Sequence, residues 1–170
     1  KMVFLGTNDE FWTVDDVKNY IDGVVGETYT SYVTNAGHGL GHDAFVSLEA
    51  FFHQTIHGTK YPRMDYKVKK QDGKAELNFN ADKELLEDVL VWEAYSDDKD
   101  FRPKKFEPSR LGISAKANFS VEVAYPEKGY KAFMVMLKYK HPSISGATYN
   151  ITTRMYTADS DELFDEAFVP

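Results

Sequence analysis

The chain contains no cysteine, which excludes disulfides, thiol catalysis and cysteine-bound zinc in one step. It leaves the compartment open, because many secreted proteins lack disulfides. No apolar run approaches the ~18 residues of a membrane-spanning helix, and no stretch reads as a signal peptide. Positive charge is scarce and scattered. The 20 Lys and Arg stand against 27 Asp and Glu for a net charge of −7. With no Lys/Arg-rich run, this argues against nucleic acid as a partner. There is no internal repeat and no low-complexity tract.

What is present suits a folded core. The 170 residues are 42% hydrophobic, enough for one or two domains. Residues 1–60 alternate strand and helix. An apolar strand, Met2-Val3-Phe4-Leu5, comes first. Thr13 and Asp16 then form a capping-box pattern, Val14, Val17 and Ile21 share one face, and Gly23 ends the predicted helix. A second strand, Tyr29 to Val33, precedes a predicted helix over residues 43–57. Its Phe45, Leu48, Phe52 and Ile56 make an apolar stripe, and Gly58 fits the position after the helix. Strand, helix, strand, helix is the grammar of a parallel sheet covered by helices. Two strands and two helices cannot cover both faces, so this half is expected to leave apolar surface and a strand edge open.

Residues 64–170 alternate strand and turn. Tyr66-Lys67-Val68 and Ala75 to Phe79 flank Asp72-Gly73, a hairpin turn signal. Val89 to Tyr95 reads as a strand. Residues 97–112, polar and holding two prolines, read as a loop. Strands are predicted again at 117–125, 130–139 and 148–156. Six or so strands at this spacing suggest an antiparallel β-sandwich of immunoglobulin or fibronectin type. The join falls near Gly58 to Arg63.

The chemistry concentrates in the first forty residues. The first strand runs into Gly6-Thr7-Asn8-Asp9, the second into Asn35-Ala36-Gly37-His38-Gly39-Leu40. An Asp just past one strand and a His just past the next match the acid and base of a serine-hydrolase triad, whose chain order on an α/β-hydrolase sheet is Ser, Asp, His. Asp9 would accept a hydrogen bond from His38 Nδ1, and Nε2 would take the proton of a serine. That serine belongs upstream, and Lys1 leads straight into a strand. Both predict that this chain is the C-terminal part of a larger polypeptide.

The motifs Phe4-Leu5-Gly6-Thr7-Asn8-Asp9-Glu10-Phe11-Trp12 and Tyr32-Val33-Thr34-Asn35-Ala36-Gly37-His38-Gly39-Leu40 resemble the PhoPQ-activated pathogenicity-related protein family, which includes an autocrine proliferation repressor. Trp92-Glu93-Ala94 followed by Asp100-Phe101-Arg102 also resembles the β-rich part of that family. The resemblance implies an α/β-hydrolase-like domain joined to a C-terminal β-rich domain, and a fold similar to secreted serine hydrolases.

Other residues compete for roles. Glu10 could replace Asp9 as the acid, but Asp9 stands at the usual three-residue offset from Gly6. Phe11 and Trp12 suit either a substrate pocket or packing under the following helix. His38 and His42, like His53 and His57, are four apart, the spacing of two zinc ligands on a helix. No third ligand and no His-Glu-x-x-His pattern accompanies them, so His53 and His57 are expected to sit near a helix end as ordinary residues. Asp97, Asp98 and Asp100 lack calcium-loop spacing and read as a solvated loop, with Lys104 and Lys105 as ion-pair partners. Tyr130, Phe133 and Tyr139 are expected in the sandwich core. Leu163, Phe164 and Phe168 are expected to dock the acidic tail. Asn118-Phe119-Ser120 and Asn150-Ile151-Thr152 match the glycosylation triplet.

The sequence thus predicts a βαβα part of an α/β-hydrolase-like domain over residues 1–60 and a β-sandwich domain over 64–170. Asp9 and His38 are the candidate catalytic residues. No cofactor, no metal and no membrane span are expected, and the location is secreted or periplasmic. The expected partners are the upstream part of the same polypeptide and a peptide or ester substrate. The alternative is a non-catalytic signalling protein that binds a protein receptor.

Overall fold

The computed structural model describes residues 1–113 and 117–167. Among these residues the chain is mostly β-structure, ten strands in two sheets with one α-helix. Strands β1 (Met2–Gly6) and β2 (Tyr29–Val33) pair in parallel, Met2 opposite Tyr29 and Gly6 opposite Val33. The predicted helix between them is replaced by two 3-10 turns, Asp16–Asn19 and Ile21–Gly23. Distant partners claim the groups a longer helix would use. The Tyr32 hydroxyl donates to the Val14 carbonyl, and the Thr157 hydroxyl donates to the Asp15 carboxylate. No side chain caps either turn, so the Thr13–Asp16 capping box does not form.

The helix α1 (His42–Ile56) forms where the periodicity places it and stops before Gly58, whose φ of 66° is left-handed. Its facing differs from expectation. Ala44, Ser47, Ala50 and Gln54 are buried against the sheet, while Phe45, Phe52 and Ile56 stand 56–75% exposed. Small side chains let the helix approach the strands closely, and the apolar stripe is left turned outward.

The remaining strands are β3 (Met64–Gln71), β4 (Lys74–Ala81), β5 (Leu86–Ser96), β6 (Glu107–Arg110), β7 (Asn118–Ala124), β8 (Tyr130–Lys140), β9 (Thr148–Thr152) and β10 (Tyr156–Ala158). The large sheet runs β1-β2-β9-β8-β5-β6, with β10 also beside β8. The second sheet is β3-β4-β7, all antiparallel. Two boundaries differ from the sequence prediction. The 97–112 segment carries the short edge strand β6, whose Pro108 suits an edge. The 148–156 strand is broken at Thr153, whose hydroxyl accepts the Val135 N–H in place of a ladder carbonyl.

The two parts share the large sheet. The parallel pair joins the antiparallel strands through Thr30 opposite Thr152. The Thr30 hydroxyl donates to the Thr152 carbonyl (2.6 Å), and the Tyr32 N–H donates to the Thr152 hydroxyl (3.2 Å). The join at 58–63 is held by Tyr61, buried with its ring 4.9 Å from Tyr29 and 5.4 Å from Tyr149.

Strand β8 is covered on both faces, which explains its unbroken apolar run. Phe133, Val135 and Leu137 pack with Leu77, Phe79 and Val123 of the smaller sheet. Met134 and Met136 face the other way, into a second cluster with Val14, Val17, Tyr32, Phe101 and Phe106. That second cluster is the floor beneath the loops after β1 and β2. Tyr139 is also core, and Tyr130 is partly buried. Leu163 is buried, and Phe164 packs near Tyr130 beneath the Lys99 ammonium (3.8 Å from the ring centroid). Phe168 lies outside the described residues.

Replacing Phe133 by Ala is expected to cost about 3–5 kcal/mol of unfolding free energy through the cavity left behind. Phe45→Ala on the outward helix face is expected to change it by less than about 0.5 kcal/mol. Urea unfolding of the two variants checks this, and a cost at Phe45 equal to that at Phe133 would contradict the helix orientation.

Candidate functional site

The loops leaving β1 and β2 start side by side because their strands are parallel and in register. Gly6 is buried where they meet. A Cβ there would lie 2.5 Å from the carbonyl oxygens of Ala36 and Gly37, so only glycine fits. Thr7 N–H donates to the Val33 carbonyl and Asn8 N–H to the Ala36 carbonyl. The two loops therefore continue the pairing beyond the strands.

Asp9 and His38 meet at this junction. Asp9 Oδ2 lies 2.9 Å from His38 Nδ1. The other oxygen, Oδ1, accepts the N–H groups of Phe11 (2.8 Å) and Trp12 (3.3 Å), so the carboxylate closes its own turn. Burial alone would raise its pKa. Hydrogen bonds from the Phe11 amide, the His38 ring and the Trp12 amide outweigh this and hold the carboxyl below its ordinary value. The Asp9 side chain is 12% exposed and that of His38 is 55% exposed. With Nδ1 turned to the carboxylate, the imidazole presents Nε2 outward. The Phe11 ring meets the imidazole edge-on at 5.0 Å.

Glu10 has a separate place. Its Oε2 accepts the His38 backbone N–H at 3.1 Å. A Cβ on Gly37 would sit 2.8 Å from that same oxygen. Glu10 thus grips the backbone of the histidine loop, while Asp9 grips the ring.

Two cavities flank the pair. One, of about 470 Å³, lies beside β1 and is lined by Phe4, Trp12, Tyr20 and Leu40 along with Asp9 and His38. The other, of about 330 Å³, lies between the 9–15 turn and residues 98–102, with Phe11, Trp12, Phe101 and Arg102 among its walls. Trp12 borders both, and it stands 60% exposed with Phe11 at 70%. A larger cleft of about 620 Å³, lined by Tyr29, Arg63, Tyr66 and Arg154, does not touch the pair.

The other candidates do not converge here. His42 opens α1, and the His53 and His57 rings lie tilted against each other at its far end, centroids 4.4 Å apart. Among the described residues no three His, Asp or Glu side chains gather in a metal-binding group. In the acidic loop the expected lysine partners are replaced by Arg102. It forks onto Asp100 (2.9 and 2.6 Å) and, with its own amide, lowers that carboxyl to about 2. Lys105 pairs instead with Glu107. Asn118 is exposed at the start of β7, and Asn150 is half-buried within β9.

The sequence did not single out Asn8 and Asn35. Each follows closely on its strand, and each side chain binds the backbone of residues 101–106. Their position just before Asp9 and the Gly37-His38 loop was the available signal.

The family model for the PhoPQ-activated pathogenicity-related protein matches residues 1–102. The chain belongs to this family. The matched span contains both loops, the Trp92-Glu93-Ala94 strand and Asp100-Phe101-Arg102. Membership of the PhoPQ-related family is consistent with a secreted pathogenicity-related protein. No curated protein and no solved structure matches the chain.

The lowered Asp9 carboxyl has a consequence for stability. Its unfolded value is about 3.9, and its folded value is lower. The contribution to stability is therefore complete above the unfolded value and lost as pH falls through the folded one. Below about pH 4, the unfolding free energy of Asp9→Asn is expected to fall less steeply than that of the unsubstituted protein. Urea titrations across pH check this, and parallel curves would contradict it.

Proposed function

We propose that the chain belongs to a secreted serine-hydrolase-like protein that cleaves an ester or peptide bond. Asp9 is the orienting acid and His38 the general base. The observation that carries this reading is the 2.9 Å contact between Asp9 Oδ2 and His38 Nδ1 at the carboxyl ends of two parallel strands, where open α/β sheets hold their sites. On this reading residues 1–60 are the C-terminal part of an α/β-hydrolase-like domain, with 3-10 turns in place of its first helix. Residues 64–170 are an antiparallel sandwich of immunoglobulin or fibronectin kind.

The nucleophile comes from the upstream part of the same polypeptide. Three features support this. Strand β1 has one neighbour, β2, among the described strands, although its residues are apolar and parallel pairs normally lie inside a sheet. The outward stripe of α1 offers Phe45, Phe52 and Ile56 for cover. The cavity beside β1 gives space next to His38 for a serine-bearing turn.

The serine Oγ attacks the scissile carbonyl carbon as its proton passes to His38 Nε2. The imidazolium, stabilised by Asp9, returns that proton to the leaving oxygen or nitrogen. Water then repeats the cycle on the acyl-enzyme and frees the serine.

A second reading rests on Phe11 and Trp12. Two large aromatic rings this exposed beside the pair suit a protein receptor as well as a substrate. In that case the family member signals by binding on a hydrolase scaffold.

Fluorophosphonate labelling of the full-length protein separates the two. The hydrolase reading predicts one labelled serine, with the rate reduced at least ~10²-fold in His38→Ala. No labelling in the folded full-length protein would overturn catalysis and favour receptor binding.

A further inference from the structure

We infer that Asn8 and Asn35 are positioning residues that fasten the acid and base loops onto the backbone of residues 101–106, a role that rests on Asp9 and His38 being the working acid and base. The sandwich half of the chain then sets the geometry of a pair it does not itself contain.

The contacts form one connected network. Asn8 Nδ2 donates to the carbonyls of Phe101 (3.0 Å), Arg102 (3.0 Å) and Lys104 (2.6 Å). An amide has two N–H donors, so these three acceptors share them. Asn8 Oδ1 accepts from the Thr7 hydroxyl (2.8 Å), and that hydroxyl accepts from the Asn35 N–H (2.7 Å). Asn35 then pairs with Phe106 in both directions. Its Oδ1 takes the Phe106 N–H (2.7 Å), and its Nδ2 gives to the Phe106 carbonyl (3.0 Å).

The body they grip is fixed. Phe101 is 4% exposed and Phe106 fully buried, both in the cluster with Met134 and Met136 of β8. Asn35 holds a φ of 57°, a left-handed conformation that Asn tolerates better than most residues. Each clip acts at short range on the pair. Asp9 follows Asn8 directly. Asn35 leads through Ala36 and Gly37 to His38, with Ala36 tied to Asn8 N–H and Gly37 pressed against Glu10. Freeing either asparagine releases the turn that aims the Asp9 carboxylate at the ring.

A purely structural clip and a positioning clip differ in what they move. The test uses the full-length protein with Asn8→Ala and Asn35→Gly. The second keeps the left-handed backbone while deleting the amide. Carbon-13 titration of the Asp9 carboxyl is followed in each, with Lys105→Ala as a neighbouring surface control. Positioning predicts that both asparagine variants raise the Asp9 midpoint toward the ordinary carboxylate range. It also predicts that Asn35→Gly speeds hydrogen exchange at the Phe106 amide roughly tenfold. Lys105→Ala should change neither. A variant that melts earlier yet titrates at Asp9 as before would overturn the inference. If Asn8→Ala does not fold, Asn35→Gly decides by the same titration.

Where the full-length protein labels with fluorophosphonate, both variants should label about 10²-fold more slowly. If the unsubstituted protein does not label, the hydrolase reading fails and the Asp9 titration alone decides the positioning role.

Discussion

The parallel register of β1 and β2 is the constraint on which the rest of the candidate site depends. With Gly6 opposite Val33, the loops leave the sheet at one end and on adjacent strands. Asp9, three residues past Gly6, and His38, five past Val33, are thereby brought within reach of each other. A slip of one residue would turn every side chain of β1 to the other face and put Asp9 out of reach. The bare Gly6, pressed on the Ala36 and Gly37 carbonyls, holds the junction to that register. Any side chain there would push the loops apart.

Around this junction the structure divides its labour between two cores. One cluster lies between the sheets and is built on Leu77, Phe79, Phe133, Val135 and Leu137. The second cluster, beneath the loops, uses the opposite face of β8 and the buried anchors Phe101 and Phe106. Strand β8 is therefore the wall shared by the two clusters. Three features remain exposed among the described residues. They are the apolar stripe of α1, the open edge of β1 and the aromatic pair Phe11 and Trp12.

The meeting of Asp9 and His38 was legible in the sequence because it is local. Strand, loop and residue type place Asp9 and His38 without any knowledge of packing, and the Asp72-Gly73 hairpin and α1 follow from turn chemistry and period. What escaped depended on distant partners. The segment after Thr13 has helical periodicity, yet the Tyr32 and Thr157 hydroxyls claim the groups its first turn needs. The stripe of α1 has the right spacing but the wrong facing, because Ala44, Ser47 and Ala50 allow closer approach to the strands. Residues 97–112 look like a solvated loop from their charge and prolines. Yet Phe101 and Phe106 are buried and anchor the segment, and Asn8 and Asn35 bind its backbone, the Asn35 contact spanning 71 residues of sequence. No local pattern reports a bond between a side chain and a backbone so far away.

The central claim is that Asp9 holds the His38 ring with Nε2 free to take a proton. Nitrogen-15 spectroscopy of the His38 imidazole in the full-length protein near neutral pH tests it most directly. The account predicts a protonated Nδ1 bonded to the carboxylate and a bare Nε2. A protonated Nε2 with a bare Nδ1 would contradict it, since a bare Nδ1 cannot donate to Asp9 and the base would point the wrong way.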